Sequence, residues 1–319
     1  SDPKAETPQG YYKVNYTADQ NGRLSRQISD GHGGTKDETL DTLTNIVVLD
    51  KYKINVIKAP TPVPDKGFKA IDGFTFEGQD AKDRTYTKHF VMIDPIAIDH
   101  RYVLPGAPVL GTNETIMSLI KNAQEYKNEA DASTPGAAAT YKLFDENGQP
   151  VSSLDSTTAG EHKVFIEVTA GREGHRVSKK VPFFYTVMPR AFLQGDLNKY
   201  DPAQVAAHYK KYTFKSKTNQ GIMTGRETAH QEGEYETLGA YVYVGTAEKP
   251  ADTYTLDIPS AVGRDFEADG YHYVFRGWKK VDTAATQTGG ASGSTTSEVL
   301  PADFSWKNFT PDIGPKDHY

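Results

Sequence analysis

The sequence predicts a mainly β protein with α+β modules, arranged as tandem small β-rich domains. Three observations predict it. Apolar and polar residues alternate with period two in successive short runs, the pattern of a strand with one buried face. Tyrosine is abundant at 19 against 2 tryptophans and 4 methionines, with turn residues between the runs, a composition that suits twisted, half-exposed antiparallel sheets. The chain has 319 residues, and at roughly 100 to 200 residues per domain it divides into two or three.

Residues 1–10 read as a linker or trimmed remnant, and 11–93 as an α+β repeat-like module. Tyr12, Val14 and Tyr16 alternate with Lys13 and Asn15 as a first strand, ended by Gln20-Asn21-Gly22, because Asn-Gly supplies the positive φ of a tight turn. Thr35-Lys36-Asp37-Glu38 has capping-box spacing with Leu40, Leu43 and Val47 beyond it, which predicts a short helix. Alternation returns through Tyr52, Ile54 and Val56. The segment from Ala59 to Pro64 must be extended, since proline restricts its own φ and the residue before it. Phe68, Phe74 and Phe76 surround an Asp72-Gly73 turn, and Tyr86 to Ile93 closes the module.

A central module is expected over 94–189. Asn113 is placed to cap a helix carrying Ile116, Leu119, Ile120 and Ala123 at i, i+3, i+4 and i+7. From Pro135 to Pro189 the chain reads strand, Glu146-Asn147-Gly148 turn, Ser/Thr/Asp connection, strand, Gly171-to-Gly174 turn and strand. His162, Val164, Ile166 and Val168 form one face of the middle strand. Val177, Val181, Phe183, Tyr185 and Val187 form one face of the last. The short turn between these two runs predicts a hairpin.

The third module, 190–319, opens on Asp201-Pro202-Ala203-Gln204, a capping Asp before a first-turn Pro, with Val205, His208, Tyr209 and Tyr212 on one helical face. Strands are expected through Tyr241 and Tyr243, through Tyr254, Leu256 and Ile258, through Tyr271, Tyr273 and Phe275 to Trp278, and at Phe304 and Trp306. Residues 283–298 are low in complexity and read as a flexible loop. Gly73 to Gly78 and Tyr271 to Trp278 echo each other, with aromatics two apart and a Gly near the strand end.

Charge and composition narrow the function. With 36 Lys and Arg against 42 Asp and Glu, the net charge of −6 repels a phosphate backbone, so nucleic acid is not an expected partner. There is no cysteine, hence no disulfide and no thiolate metal site. No apolar run reaches the roughly 20 residues of a membrane span, and no signal peptide opens the sequence.

No catalytic, cofactor-binding or metal-ligating residue is assigned, and no cofactor is expected. His230-Gln231-Glu232-Gly233-Glu234 comes nearest to an acid-base or metal cluster, but its central Gly breaks any helix that would align the groups, and it reads as a solvated acidic loop. Asp30-Gly31-His32-Gly33-Gly34 lacks the Lys and Ser or Thr of a phosphate loop and follows no clear strand, so a flexible connection is expected. Asp145-Glu146-Asn147-Gly148 is too short for a calcium loop and reads as a hairpin turn. Gly289 to Gly293 has no nucleophile-elbow spacing. The sequons at Asn15, Asn113 and Asn308 are expected to be bare. Tyr and Trp bury much area at low entropic cost, which makes an aromatic patch on the third module a candidate contact site.

Val109-Leu110-Gly111-Thr112, Leu154 to Gly160, Val164 to Thr169 and Val181 to Val187 resemble the Rib-like, immunoglobulin-type modules of Gram-positive surface proteins. Gly67-Phe68 before Phe74, and Tyr273-Val274-Phe275-Arg276-Gly277-Trp278, resemble aromatic-Gly-Trp repeats of internalin-B-repeat or mucin-binding type. Gln79 departs from that signature where Trp would stand, and no cell-wall sorting motif is present. The resemblance implies a central immunoglobulin-like sandwich in a protein attached to the bacterial cell wall. The expected function is that of a non-catalytic extracellular adhesin, monomeric, binding a host protein or glycan without entering the membrane. A purely structural stalk and an accessory region of a secreted hydrolase are the alternatives. Proteins of this type sometimes cross-link Lys to Asn, and no such triad can be picked from the residues.

Overall fold

A computed structural model describes residues 6–47, 58–78, 82–217 and 235–246, with the short stretches 221–223, 230–232, 261–263, 265–266, 271–272, 281–282 and 317–318. The strands expected through Tyr52 to Val56, Tyr254 to Ile258 and Phe304 to Trp306 lie outside the described residues. So do Gln79, Tyr273 to Trp278, the 283–298 loop and Asn308. The protein is mainly β, in several small sheets. The chain divides into two compact units, one of Ser1–Asp99, Leu110–Leu154 and Lys163–Phe184, the other of His100–Val109, Asp155–His162 and Tyr185–Tyr319.

The first unit begins with β1 (Tyr12–Ala18), β2 (Gly22–Ser29), β3 (Thr35–Leu40), β4 (Thr42–Val47), β5 (Thr61–Pro64), β6 (Phe68–Ala70), β7 (Thr75–Gly78), β8 (Arg84–Lys88) and β9 (Phe90–Met92). One sheet has the order β4-β1-β8-β7, a second β3-β2-β5, and β6 pairs with β9. The alternation in β1 turns Val14 and Tyr16 inward, where they meet Leu24 and Leu43 in a buried cluster. Asn21, at φ 70°, makes the turn the sequence predicts.

The helix expected from Thr35 to Val47 is replaced by β3 and β4, and long-range pairing accounts for the change. Asp30 caps a hairpin turn, its carboxylate accepting the N–H groups of His32 and Gly34 at 2.8 Å each. That turn lays β3 antiparallel on β2, with Glu38 opposite Arg26, and Arg26 Nε donates to Glu38 Oε2 at 2.8 Å. Leu43 is then buried while Leu40 stays 45% exposed, a division that no single helical face would make. The Asp30 loop also follows a strand, so the expected flexible connection is corrected to an Asx-closed hairpin turn.

After β10 (Arg101–Val103), which belongs to the second unit, the helix expected from Asn113 is found as two 3-10 turns, Ile116–Leu119 and Ala123–Glu125. Ile120 leaves helical geometry to bridge Ala97. The buried Asn122 accepts the Ile96 N–H at 2.8 Å and donates to Asp94 O at 3.0 Å. Thr115 with Ser118, and not Asn113, forms the capping box.

Next come β11 (Thr140–Phe144), β12 (Pro150–Val151), β13 (Gly160–Ala170) and β14 (Val177–Val187), in the order β12-β11-β13-β14. Asp145 accepts the N–H groups of Asn147 and Gln149 in the expected hairpin turn. Within the first unit, Val164, Ile166 and Val168 point inward with Leu143 and Phe183 as the alternation requires. Arg176 closes the base of the β13 and β14 hairpin. Its Nη1 donates to the carbonyls of Ala137 and Gly171 and its Nη2 to those of Ala138 and Thr169.

In the second unit, β10 runs parallel to Tyr185–Val187 at the end of β14. There follow β15 (Ala191–Leu193), α1 (Pro202–His208), β16 (Tyr209–Lys217), β17 (Gly221–Met223), β18 (His230–Glu232) and β19 (Tyr235–Tyr243). Short strands β20 (Ala261–Gly263), β21 (Asp265–Phe266), β22 (Tyr271–His272), β23 (Val281–Asp282) and β24 (Asp317–His318) complete the described chain. The main sheet has the order β15-β19-β16-β24-β23, with β18 also on β19. Asp201 caps α1 as predicted, accepting Ala203 N–H at 3.4 Å. The helical face does not extend to Tyr209 and Tyr212, because nine-residue pairing of β16 with β19 takes over at Tyr209. His230–Glu232, expected in a loop, pair instead with Thr237, Glu236 and Tyr235.

Candidate functional site

Phe192 organises the aromatic surface of the second unit. Its register partner is Tyr241 on β19, and their rings stack with centroids 5.1 Å apart and planes 13° from parallel. Tyr200, delivered by the 3-10 turn Gln194–Lys199, tilts against Phe192 at 4.5 Å, and Tyr209 sits 5.3 Å away on the same ring. Beside this cluster is an open cleft of about 740 Å³, walled by Tyr102, Tyr200 and Tyr241 with Leu197 and Val205, and edged by Gln194, Asn198 and Asp201. The Gln204 side chain, one residue before Val205 on α1, donates Nε2 to Tyr102 O at 3.3 Å and so holds β10 at the cleft.

Burial, then the Asp196 carboxylate, pushes the Tyr200 phenol up from its ordinary value. Burial does the same to Tyr209, whose hydroxyl donates to Pro189 O at 2.7 Å. These phenols stay neutral at physiological pH. The cleft therefore offers ring faces, amide groups and the Asp201 carboxylate, a combination suited to binding.

A second cavity, of about 830 Å³, lies wholly in the first unit and is lined by Asp19, His89, Asp41, Arg172, His175 and Lys179 among others. His89 is the centre of a hydrogen-bonded chain. Its Nδ1 is 2.9 Å from Asp19 Oδ2 and its Nε2 is 2.7 Å from Thr75 Oγ1, while Asp19 Oδ1 accepts the Phe90 N–H at 3.1 Å. Hydroxyl, imidazole and carboxylate in this order resemble the constellation that activates a nucleophile. Thr75 does not line the cavity, whereas a reacting hydroxyl needs substrate space in front of it and N–H donors for the oxyanion. The geometry suits a tie between the end of β1, β7 and the start of β9.

The remaining charges at this cavity are engaged with one another. Arg172 Nε and Nη2 reach the two oxygens of Asp65 at 2.6 and 3.1 Å, and Nη1 reaches Asp41 at 3.3 Å. Lys179 Nζ donates to Asp94 Oδ1 at 2.6 Å and to Met92 O at 3.0 Å. The hydrogen bond and charge of Lys179 hold the Asp94 carboxyl below its ordinary value.

None of these groups was legible as a site. Asp19, Thr75 and His89 are scattered over 71 positions, and each alone is an ordinary strand-end or surface residue. The aromatic patch expected on the third module coincides with Tyr200 and Tyr241, but Tyr102 enters from far upstream. Asn15 accepts from Thr44 Oγ1 at 2.9 Å and Asn113 is exposed. Among the described residues no cluster of three or more His, Asp or Glu could hold a metal ion, and no helix is long and apolar enough to cross a membrane. Comparison with family models, with curated proteins and with solved structures returns no match.

Proposed function

We propose that the chain is a non-catalytic, adhesive part of a Gram-positive surface protein, held outside the cell on the wall and binding a host protein or glycan. In this reading the sheet of β11 to β14 is the immunoglobulin-like, Rib-like module, and the second unit presents the ligand-contact surface. The observation that carries it is the cleft of Tyr102, Tyr200 and Tyr241, open, aromatic and edged by amides. Flat rings backed by Phe192 are held in place before any ligand arrives, which lowers the entropic cost of contact. The binding chemistry of such a surface fits sugars and extended peptides alike.

The test is a screen of the intact protein against matrix and plasma proteins and a glycan array, repeated with Tyr200→Ala and Tyr241→Ala. A ligand whose binding falls about tenfold or more in both variants is expected, as for an aromatic hot spot. Silence across the whole panel favours the stalk reading. The hydrolase reading rests on the Thr75, His89 and Asp19 chain, and the same preparation assayed on ester and amide substrates decides it. Turnover abolished by His89→Ala would replace the adhesin reading.

A further inference from the structure

Alternation along β11, β13 and β14 that buries Leu143, Val164, Ile166 and Phe183 turns Lys142, Phe144, Lys163, Phe165, Lys180 and Phe184 to the outer side of the sheet. Phe144 is the register partner of Phe165. A hydrogen bond of 2.7 Å between Thr169 Oγ1 and Ser178 Oγ ties β13 to β14 on this same side. Lys163 Nζ lies 5.1 Å from the Phe165 ring centroid and 5.7 Å from that of Phe184. Lys180 Nζ lies 3.9 Å from the Phe144 centroid.

The result is an outward face of phenylalanine rings carrying ammonium groups. Phe184 is 37% exposed, and Lys142 and Lys180 are exposed. Among the described residues none of the three lysines forms an ion pair. Glu167, opposite Lys142, and Glu161, two residues before Lys163, are the strand's outward carboxylates. Three lysines against these two carboxylates leave the face with one net positive charge, on a chain whose net charge is −6. Contact with a ring fixes a flexible lysine stem while leaving the ammonium cationic, so the charges are positioned in advance.

We propose that this outer face of β11, β13 and β14 binds an anionic polysaccharide. Lys142, Lys163 and Lys180 meet its carboxylates or sulfates, and Phe165 and Phe184 underlie its sugar C–H faces. A neutral sugar would leave the ammonium groups unanswered. A single-stranded nucleic acid, whose phosphates offer the same charge, is the competing occupant that the oligo-dT arm of the test addresses. The inference does not rest on the aromatic cleft, which belongs to the other unit.

The experiment is calorimetric titration of the intact protein with heparin-derived and hyaluronan oligosaccharides, with neutral dextran and oligo-dT as comparisons. Binding to at least one anionic oligosaccharide, weakened by added salt and absent with dextran, is expected. A sulfate requirement is read from heparin binding without hyaluronan binding. Lys163→Gln with Lys180→Gln should lower affinity about tenfold, as the loss of two partly exposed charges. Phe184→Ser should weaken binding without changing its salt dependence. Circular dichroism of each variant establishes that the sheet is folded. No binding to either anionic oligosaccharide, undiminished binding by the folded lysine variant, or tighter binding of oligo-dT would overturn the proposal.

Discussion

Arg172 holds together groups that the sequence keeps far apart. Its fork grips Asp65, whose side chain is only 3% exposed, and its backbone N–H donates to Asn21 Oδ1 at 3.1 Å. Asn21 Nδ2 in turn donates to His175 O at 3.0 Å. Hydrogen bonding to Asp65, the largest influence, raises the guanidinium above its ordinary value. Removing one member of a buried pair leaves the other charge without compensation, at a cost of about 3–5 kcal/mol. Arg172→Met is expected to lose that much in urea unfolding, and adding Asp65→Asn should return part of it. A loss below about 1 kcal/mol would mean that water solvates Asp65 without the arginine. Nothing in the sequence announces this cluster. The Gly171-to-Gly174 stretch reads as a turn, which it is, and the partners at positions 21, 41 and 65 leave no local trace.

The hairpin of β13 and β14 was the element most legible from residues. Period-two burial, β-branched content and a glycine turn all point to the same answer, and such agreement between levels is what makes a strand readable. The Thr35 to Val47 segment shows the opposite case. Capping-box spacing there is a local helix signal, but pairing of Arg26 with Glu38 and burial of Leu43 outweigh it. At the hairpin's turn, Gly171 adopts φ +113°, and a Cβ added there would lie 2.7 Å from His175 O and 2.8 Å from Asn21 Oδ1. Both the backbone conformation and the contact with a carbonyl oppose a side chain. Gly171→Ala should therefore destabilise the protein by about 1–3 kcal/mol, read as a lower urea midpoint at unchanged slope. An unchanged midpoint would show that the turn can relax.

Across the whole molecule, buried phenols set the response to alkali and bound carboxylates the response to acid. Burial pushes Tyr141 and Tyr185 up to about 12, and it raises Tyr16, Tyr126, Tyr200 and Tyr209 as well. An unfolded tyrosine ionises near about 10. Because the folded values are higher, these phenols' contribution to stability is complete below that pH and is lost as pH climbs toward about 12. Asp131 runs the other way. Hydrogen bonds, first from Thr134 and then from Ser133, lower it to about 2, so its contribution is present above the unfolded value near about 3.9 and is lost as pH falls toward about 2. Unfolding free energy measured across pH, alongside tyrosinate absorbance, should show a broad plateau with an alkaline decline beginning near about 10. Tyrosines that all titrate together near about 10 in a protein still folded by circular dichroism would contradict it. These shifts arise from burial in the folded chain, and composition gives only the number of tyrosines, not which of them lose contact with water.

Arg176 carries one more consequence. With both terminal nitrogens donating to four main-chain carbonyls, its guanidinium is withheld from any trypsin-like protease that recognises basic side chains. The peptide bond after it is protected for as long as the base of the hairpin stays closed. Cleavage at that bond would then report the opening of this sheet specifically, giving the fold a built-in chemical marker of its own local unfolding.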